Sequence, residues 1–233
     1  NRKNGLNRAL KENIVDLYTV MRTTFSAREF LDGPIPNDVL KRIFENARFA
    51  PNGGNRQGWR VIVVREQDHR NSLAALIEPT YRRYLAQVEA GENPWNTVEP
   101  TKLTDEQLNV QRMPKGLIER LVNAPTLLLV LVDLRVVASI DSKLDRIGVI
   151  SGASIYPFVW NILLAARNEG YGGTLTTFVV GEEPKVRTIF GIPDHYAVCA
   201  MLPMGKPKKQ LTKLRRKPVE EFVTFDNFNG ASL

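Results

Sequence analysis

Apolar residues at Val39, Leu40, Ile43, Phe44, Ala47 and Ala50 recur at the three- and four-residue intervals that line one face of an α-helix. Asn37 and Asp38 give the start of this run the polar, acidic character that a helix N-terminus favours. The same spacing places Ile14, Leu17, Tyr18 and Met21 on one face of a helix within residues 1–20. Residues 60–64, RVIVV, are short and β-branched and predict a strand. Residues 126–134, TLLLVLVDL, follow Pro125 as a continuous apolar run, the pattern of a strand buried on both faces, and residues 196–203 predict another. No repeat runs through these elements. The mixture predicts an α+β fold, helices packed on a single sheet, as one domain spanning residues 1–233.

Three segments depart from this texture. Residues 147–166 carry no charge and are numerous enough to cross a bilayer, but serines, glycines, Pro157 and Asn161 dilute their hydropathy. A helix apolar all round is also what the middle of a packed protein contains, and Pro157 within it predicts a kink. Residues 78–116 are charged, aromatic and broken by prolines, which predicts a helix at 79–90 and then a long loop. Such an excursion either covers a ligand or lies at the periphery. In the tail, residues 218–233, the alternation of Phe222, Val223 and Phe225 predicts a strand or arm.

Composition narrows the function classes. The 32 Lys and Arg exceed the 25 Asp and Glu by seven, a surplus that favours anionic ligands. The basic residues are scattered apart from 206–209 and 213–217, without the aromatic interleaving of a nucleic-acid groove, so no nucleic-acid partner is expected. Cys199 is the only cysteine and sits in the apolar run AVCAML, as a small hydrophobe. One cysteine and a charged opening segment predict a cytoplasmic chain without a secretory leader. His69 and His195 lack the spacing of a metal site, and no metal is expected.

The most informative chemistry lies at residues 46–60, NARFAPNGGNRQGWR. A helical run stops at Pro51, two glycines follow, and Asn55 and Gln57 offer paired amide donors and acceptors. Such a loop suits a planar cofactor whose edge alternates C=O and N–H; the plainer alternative is a helix cap followed by a polar turn. Residues 170–175, GYGGTL, follow a helix and end in Leu where a dinucleotide fingerprint needs glycine, so a Rossmann site is rejected. What is left is a cap at Gly170 and a turn whose N–H groups can face a ligand, or an ordinary Schellman cap.

APNGGNRQGW resembles the signature APSxGNxQPW of the flavin-dependent nitroreductase superfamily. Three further blocks agree in order: MRTTFSAREF with GPIPNDVLKRIFENA, LLAARNEGYGGTLTT, and FGIPDHYAVCAMLPMGKP with LTKLRRKPVEEF. The resemblance implies a nitroreductase-like fold, with a central antiparallel-type sheet flanked by helices and a C-terminal arm exchanged in a homodimer. It implies FMN held by Arg22, Thr23, Thr24 and Ser26 at phosphate and ribityl oxygens, and by Pro51, Asn52, Gly53, Asn55 and Gln57 at the ring. It implies main-chain N–H groups near Leu175, Thr176 and Thr177 against the redox nitrogen, and Lys213 and Arg215 at the phosphate. The N-terminal block departs from the family in placing Phe25 where an Arg is usual, which removes one charge-assisted contact of about 1.5–3 kcal/mol. Asn52 stands where Ser is usual, and Gly58 where Pro is usual.

No obligatory proton donor or covalent nucleophile is evident, which fits chemistry carried by a cofactor. The implied activity is transfer of electrons from NADH or NADPH to a small acceptor, such as a nitroaromatic or quinone, in alternating half-reactions. The alternative is a flavin-binding or flavin-processing module of the same fold without fast turnover. In the implied dimer the uncharged helix at 147–166 and the Phe-rich arm are covered by the partner, with the flavin at the seam.

Overall fold

The computed structural model describes residues 16–109 and 113–233. Its centre is a four-stranded antiparallel sheet in the order β1-β2-β4-β3, formed by β1 (Trp59–Val63), β2 (Thr126–Asp133), β3 (Gly172–Gly173) and β4 (Tyr196–Gly205). Every residue of β2 is buried. Its alternate side chains serve different layers, which is why its sequence does not alternate. Leu128, Val130 and Val132 pack with α2 (Asn37–Ala47) and α6 (Tyr156–Asn168). Leu127, Leu129 and Leu131 pack with α3 (Gln67–Glu89), α5 (Leu117–Val122) and α7 (Glu183–Phe190). The β2–β4 register shifts between Val130 and Leu131 and leaves Cys199 as the extra residue of a bulge. Burial pushes the Cys199 thiol up to about 12, as expected of an inert small hydrophobe.

Helix α2 follows the sequence pattern, with Val39, Leu40, Ile43 and Ala47 buried. The N-terminal helix does not. Of its expected face, Ile14 lies outside the described residues, while Leu17, Tyr18 and Met21 of α1 (Leu17–Thr23) are exposed. Val20 and Thr23 turn inward instead, and α1 packs on α6.

Both proline expectations are corrected. Helix α3 starts at Gln67 rather than near Pro79 and continues through it. Pro79 and Ala75 are exposed, so the carbonyl that loses its N–H partner faces water. Pro157 lies in the first turn of α6, where a missing N–H costs nothing, and the helix does not extend back to residue 147. Residues Ile150–Ser154 form a 3₁₀ turn, and residues 147–149 are irregular. Among the described residues no helix is long and apolar enough to cross a membrane.

After α3 the chain folds back on its own helix. The Glu92 carboxylate accepts from Thr101 Oγ1 (2.6 Å) and Lys102 N (2.7 Å), Gln87 Oε1 accepts from Trp95 N, and the Arg83 guanidinium lies over the Trp95 ring. Helix α4 (Asp105–Asn109) then packs against α3. Among the described residues, the C-terminal segment after Lys217 forms no paired strand with the body of the sheet. A 3₁₀ turn at Val219–Glu221 leads into a self-closed loop in which Thr224 bridges Ser232, with Phe222, Phe225 and Phe228 exposed.

Candidate functional site

The glycine-rich loop after α2 is held by its own amides. Asn52 Oδ1 accepts from Gln57 N at 2.8 Å, and Asn52 Nδ2 donates to Ala50 O. Asn55 and Gln57 both take φ of 52°, a region that non-glycine residues visit rarely and that concentrates at functional positions. Gly58 closes the loop against the end of β2, where Asp133 N donates to Gly58 O at 2.8 Å. A Cβ at position 58 would come within 2.5 Å of Val136 Cγ2, so glycine lets the loop approach this side chain closely. Trp59 stacks on Phe158 (4.6 Å between centroids, 5° between planes), fixing the loop exit to the start of α6. Asn55 and Gln57 are exposed, and Pro51 and Gly53 lie beside them on the surface.

At the other end of α6 three segments meet. The helix closes with Gly170 N donating to Arg167 O and Tyr171 N to Ala166 O, a Schellman pair. Gly173 then enters β3 so close to β4 that a Cβ would lie 2.7 Å from Pro203 O and Met204 Cγ. Beyond it Thr174 N and Thr176 N donate to Pro203 O and Met201 O. The N–H groups of Leu175 and Thr177 alternate to the outer side and have no partner among the described residues. Thr176 Oγ1 is buried without a hydrogen-bond partner. Leu175 N and Thr177 N are thus free donors among the described residues, and Thr176 N is not.

The N-terminal block pairs with this turn through Ser26, bridged to Gly173, and Ala27 N, which donates to Gly173 O. The hydroxyls of Thr23 and Thr24 donate to Thr19 O (2.6 Å) and Val20 O (2.8 Å), and both residues are buried. Neither hydroxyl proton is available to a ligand; Ser26 is exposed and Arg22 lies over the Tyr18 ring. The basic C-terminal segment runs alongside: Leu31 N donates to Lys206 O, Lys208 N to Glu29 O, and Gln210 Nε2 to Thr23 O and Leu211 O. Lys213 and Arg215 follow within a few residues.

The structure therefore brings together Arg22–Ser26, Leu175–Thr177 and the approach to Lys213 and Arg215, and holds the loop of Pro51, Asn52, Gly53, Asn55 and Gln57 apart from them. The loop precedes β1 at one sheet edge, while β3 forms the other. Three strand spacings make about 14 Å. Along α6, the ten residues between Phe158 and Asn168 give about 15 Å. Among the described residues, no group of three or more His, Cys, Asp and Glu side chains could hold a metal ion.

Two acidic residues, not marked by sequence reading, shape the loops around α6. The Arg135 guanidinium, hydrogen-bonded to both Asp133 oxygens, holds that carboxyl down at about 2 against burial. The Val149 N–H, then Arg146, with a further contribution from Ile150 N, hold Asp141 at about 2. Asp141 thereby closes the turn over residues 139–150. A carboxyl below its ordinary value of 3.8 adds stability above that pH and loses it as pH falls towards 2. Asp141→Asn is expected to melt below wild type at pH 7, with the gap shrinking between pH 4 and 2. A gap constant with pH would show that the carboxylate charge is not what anchors the turn.

A model of the nitroreductase family matches residues 21–206. Human iodotyrosine deiodinase 1 is 24% identical over 210 residues, covering 89% of this chain and 68% of the relative. Nitrobenzene nitroreductase of Ectopseudomonas oleovorans is 24% identical over 229 residues, covering 88% of this chain and 95% of the relative. A crystal structure of oxidized iodotyrosine deiodinase bound to FMN and 3-iodo-L-tyrosine superposes with a TM-score of 0.64 at 22% identity, covering 91% of this chain and all of that one.

Proposed function

This chain belongs to the nitroreductase family, and we propose that it is an FMN-dependent oxidoreductase that passes electrons from NADH or NADPH to a small acceptor. The observation that carries the reading is the donor set at the end of α6. Outward N–H groups at Leu175 and Thr177, an orphan hydroxyl at Thr176 and unpaired cations at Lys213 and Arg215 suit a planar ring that becomes electron-rich and ends in a phosphate. Bound FMN would take up electrons from the nicotinamide and release them to the acceptor in a second half-reaction.

The chain's own residues supply position and charge. Ser26 and the basic segment hold the phosphate end, and the backbone at Leu175 and Thr177 faces the ring edge. The amides of Asn55 and Gln57 complete the ring's polar contacts from a second copy of the chain, because one chain keeps them about 15 Å away. The second copy also covers apolar surface that one copy leaves open. Tyr156 and Trp160 on the outer face of α6 line an open cleft of about 690 Å³ with Gly148, Val149 and Pro157. Leu17, Tyr18 and Met21 stand exposed on the neighbouring α1.

The purified protein, after incubation with FMN, is expected to be yellow and to bleach on anaerobic addition of NADH or NADPH. Colourless protein that quenches no flavin fluorescence would overturn the cofactor reading. Bound flavin that nicotinamide fails to bleach would favour a flavin-handling module.

The similarity to deiodinases supports a second reading, reductive dehalogenation of a halogenated phenol, in which two electrons from the reduced cofactor and one proton from water convert an aryl–iodine bond to aryl–hydrogen and iodide leaves. Iodide release from 3-iodo-L-tyrosine by dithionite-reduced protein distinguishes it; no release dismisses it.

A further inference from the structure

We infer that Arg167 binds the phosphate of the cofactor, entering from the end of α6 rather than from the N-terminal block. The inference rests on the FMN reading above. Arg167 lies in the last turn of α6, half-buried, and its Nε donates to Thr23 Oγ1 at 3.0 Å. A guanidinium carries five N–H donors, and this bond uses one. The four on Nη1 and Nη2 have no hydrogen-bond partner among the described residues, and no carboxylate lies within ion-pair distance.

Thr23 is saturated by this contact. Its hydroxyl donates to Thr19 O and accepts from Arg167, while its carbonyl accepts from Gln210. It is therefore a pivot that orients Arg167 on one side and anchors the basic segment on the other. Lys213 stands three residues beyond Gln210, a contour of about 11 Å at most.

Several cations of these segments hold no carboxylate. Arg22, Arg28, Arg167, Lys213 and Arg215 make no ion pair among the described residues. Elsewhere Arg42, Arg135 and Arg146 each hold a carboxylate at 3.0 Å or less. A cation that holds no carboxylate keeps its charge available to a phosphate dianion. Among these cations Arg167 has the best geometry for it. Arg22 folds back over the Tyr18 ring, and Arg28 Nη1 donates to Ser26 O. Phe25 brings no charge to the block at all. Arg167 presents a planar fork that is already oriented and still free, the form that takes two phosphate oxygens at once.

Flavin fluorescence quenching tests this by comparing FMN with riboflavin, which has the same ring and ribityl chain but no phosphate. Arg167→Gln is expected to weaken FMN binding about 10- to 100-fold, the effect of losing one charge-assisted contact, with riboflavin binding unchanged. Arg167→Lys keeps the charge without the fork and should recover part of the loss. An equal loss for both flavins would mean that Arg167 only supports the fold. No change in either, while Arg215→Gln weakens FMN, would place the phosphate away from Arg167; both results overturn the inference. Wild-type protein that binds neither flavin would overturn the cofactor reading and the inference with it.

Discussion

Arg70→Met is expected to lower the free energy of unfolding by about 3 kcal/mol and the melting temperature by about 6–12 °C. The guanidinium of Arg70 is buried at 8% exposure and faces no carboxylate. Its partners are backbone carbonyls: Val64 O from Nε and Nη2 (3.2 and 2.9 Å), Val122 O at 2.6 Å and Ala124 O at 2.8 Å. Three segments are tied by one side chain: the end of β1, the last residue of α5, and the loop leading into β2. Methionine fills much of the volume but leaves three carbonyls in the interior without a donor. Each such orphan costs about 1–3 kcal/mol, partly recovered where water enters. Arg70→Lys should fall between, since an ammonium has three donors but cannot span the same carbonyls. Urea titration of the three proteins checks the order; a methionine variant within about 1 kcal/mol of wild type would show that water replaces the guanidinium freely.

Nothing in the sequence near Arg70 marks it. Its partners are main-chain atoms, identical in every residue, and two of the three lie more than fifty positions away. By contrast α2, β2 and β4 were legible because their patterns report burial directly, at helical spacing or as an unbroken run in a strand covered on both faces, and β1, half-buried at the sheet edge, through its β-branched residues. The N-terminal helix shows the limit of such patterns. Its apolar spacing is real, but Leu17, Tyr18 and Met21 face outward in a single chain, and spacing says nothing of which body covers a face. The prolines misled for a related reason. Pro79 is tolerated because its turn of α3 faces solvent, and Pro157 because it opens α6; exposure and exact helix bounds decide both.

The candidate site divides in the same way. Motif order found the three segments that meet at the end of α6, and Gly170 caps the helix as expected. The engagement of the Thr23 and Thr24 hydroxyls was not legible, because a side chain in a helix's last turn can donate back to a carbonyl four residues earlier, as both do. Arg167 was passed over because it follows directly on the uncharged run at 147–166 and reads as the basic end of a helix; what singles it out is the missing counter-ion, which depends on the tertiary arrangement.

Hybrid dimers are expected to regain a flavin site that two defective homodimers lack. If the ring-contacting loop and the phosphate-holding segments belong to different chains of one site, each homodimer carries two of each half. Asn55→Ala with Gln57→Ala damages both sites of its homodimer, as does Lys213→Ala with Arg215→Ala. In a hybrid of the two variants, one site receives both defects. The other receives the intact loop of one chain and the intact basic segment of the other. Co-expression under two affinity tags isolates that hybrid, which should hold about half the flavin of wild type. The effect is large because it separates near absence from one full site per dimer, and partial unfolding cannot imitate it, since a poorly folded chain would impair the hybrid as well. If both halves act within one chain, the hybrid contains no intact site and stays as empty as its parents. That result, or a monomeric wild type that retains flavin, would overturn the shared site. The distance between the two halves would then have to be closed within a single chain, by moving the loop after α2 across the length of α6. The stacked Trp59–Phe158 pair and the Gly58–Asp133 bond oppose that movement, which is why the hybrid is expected to bind.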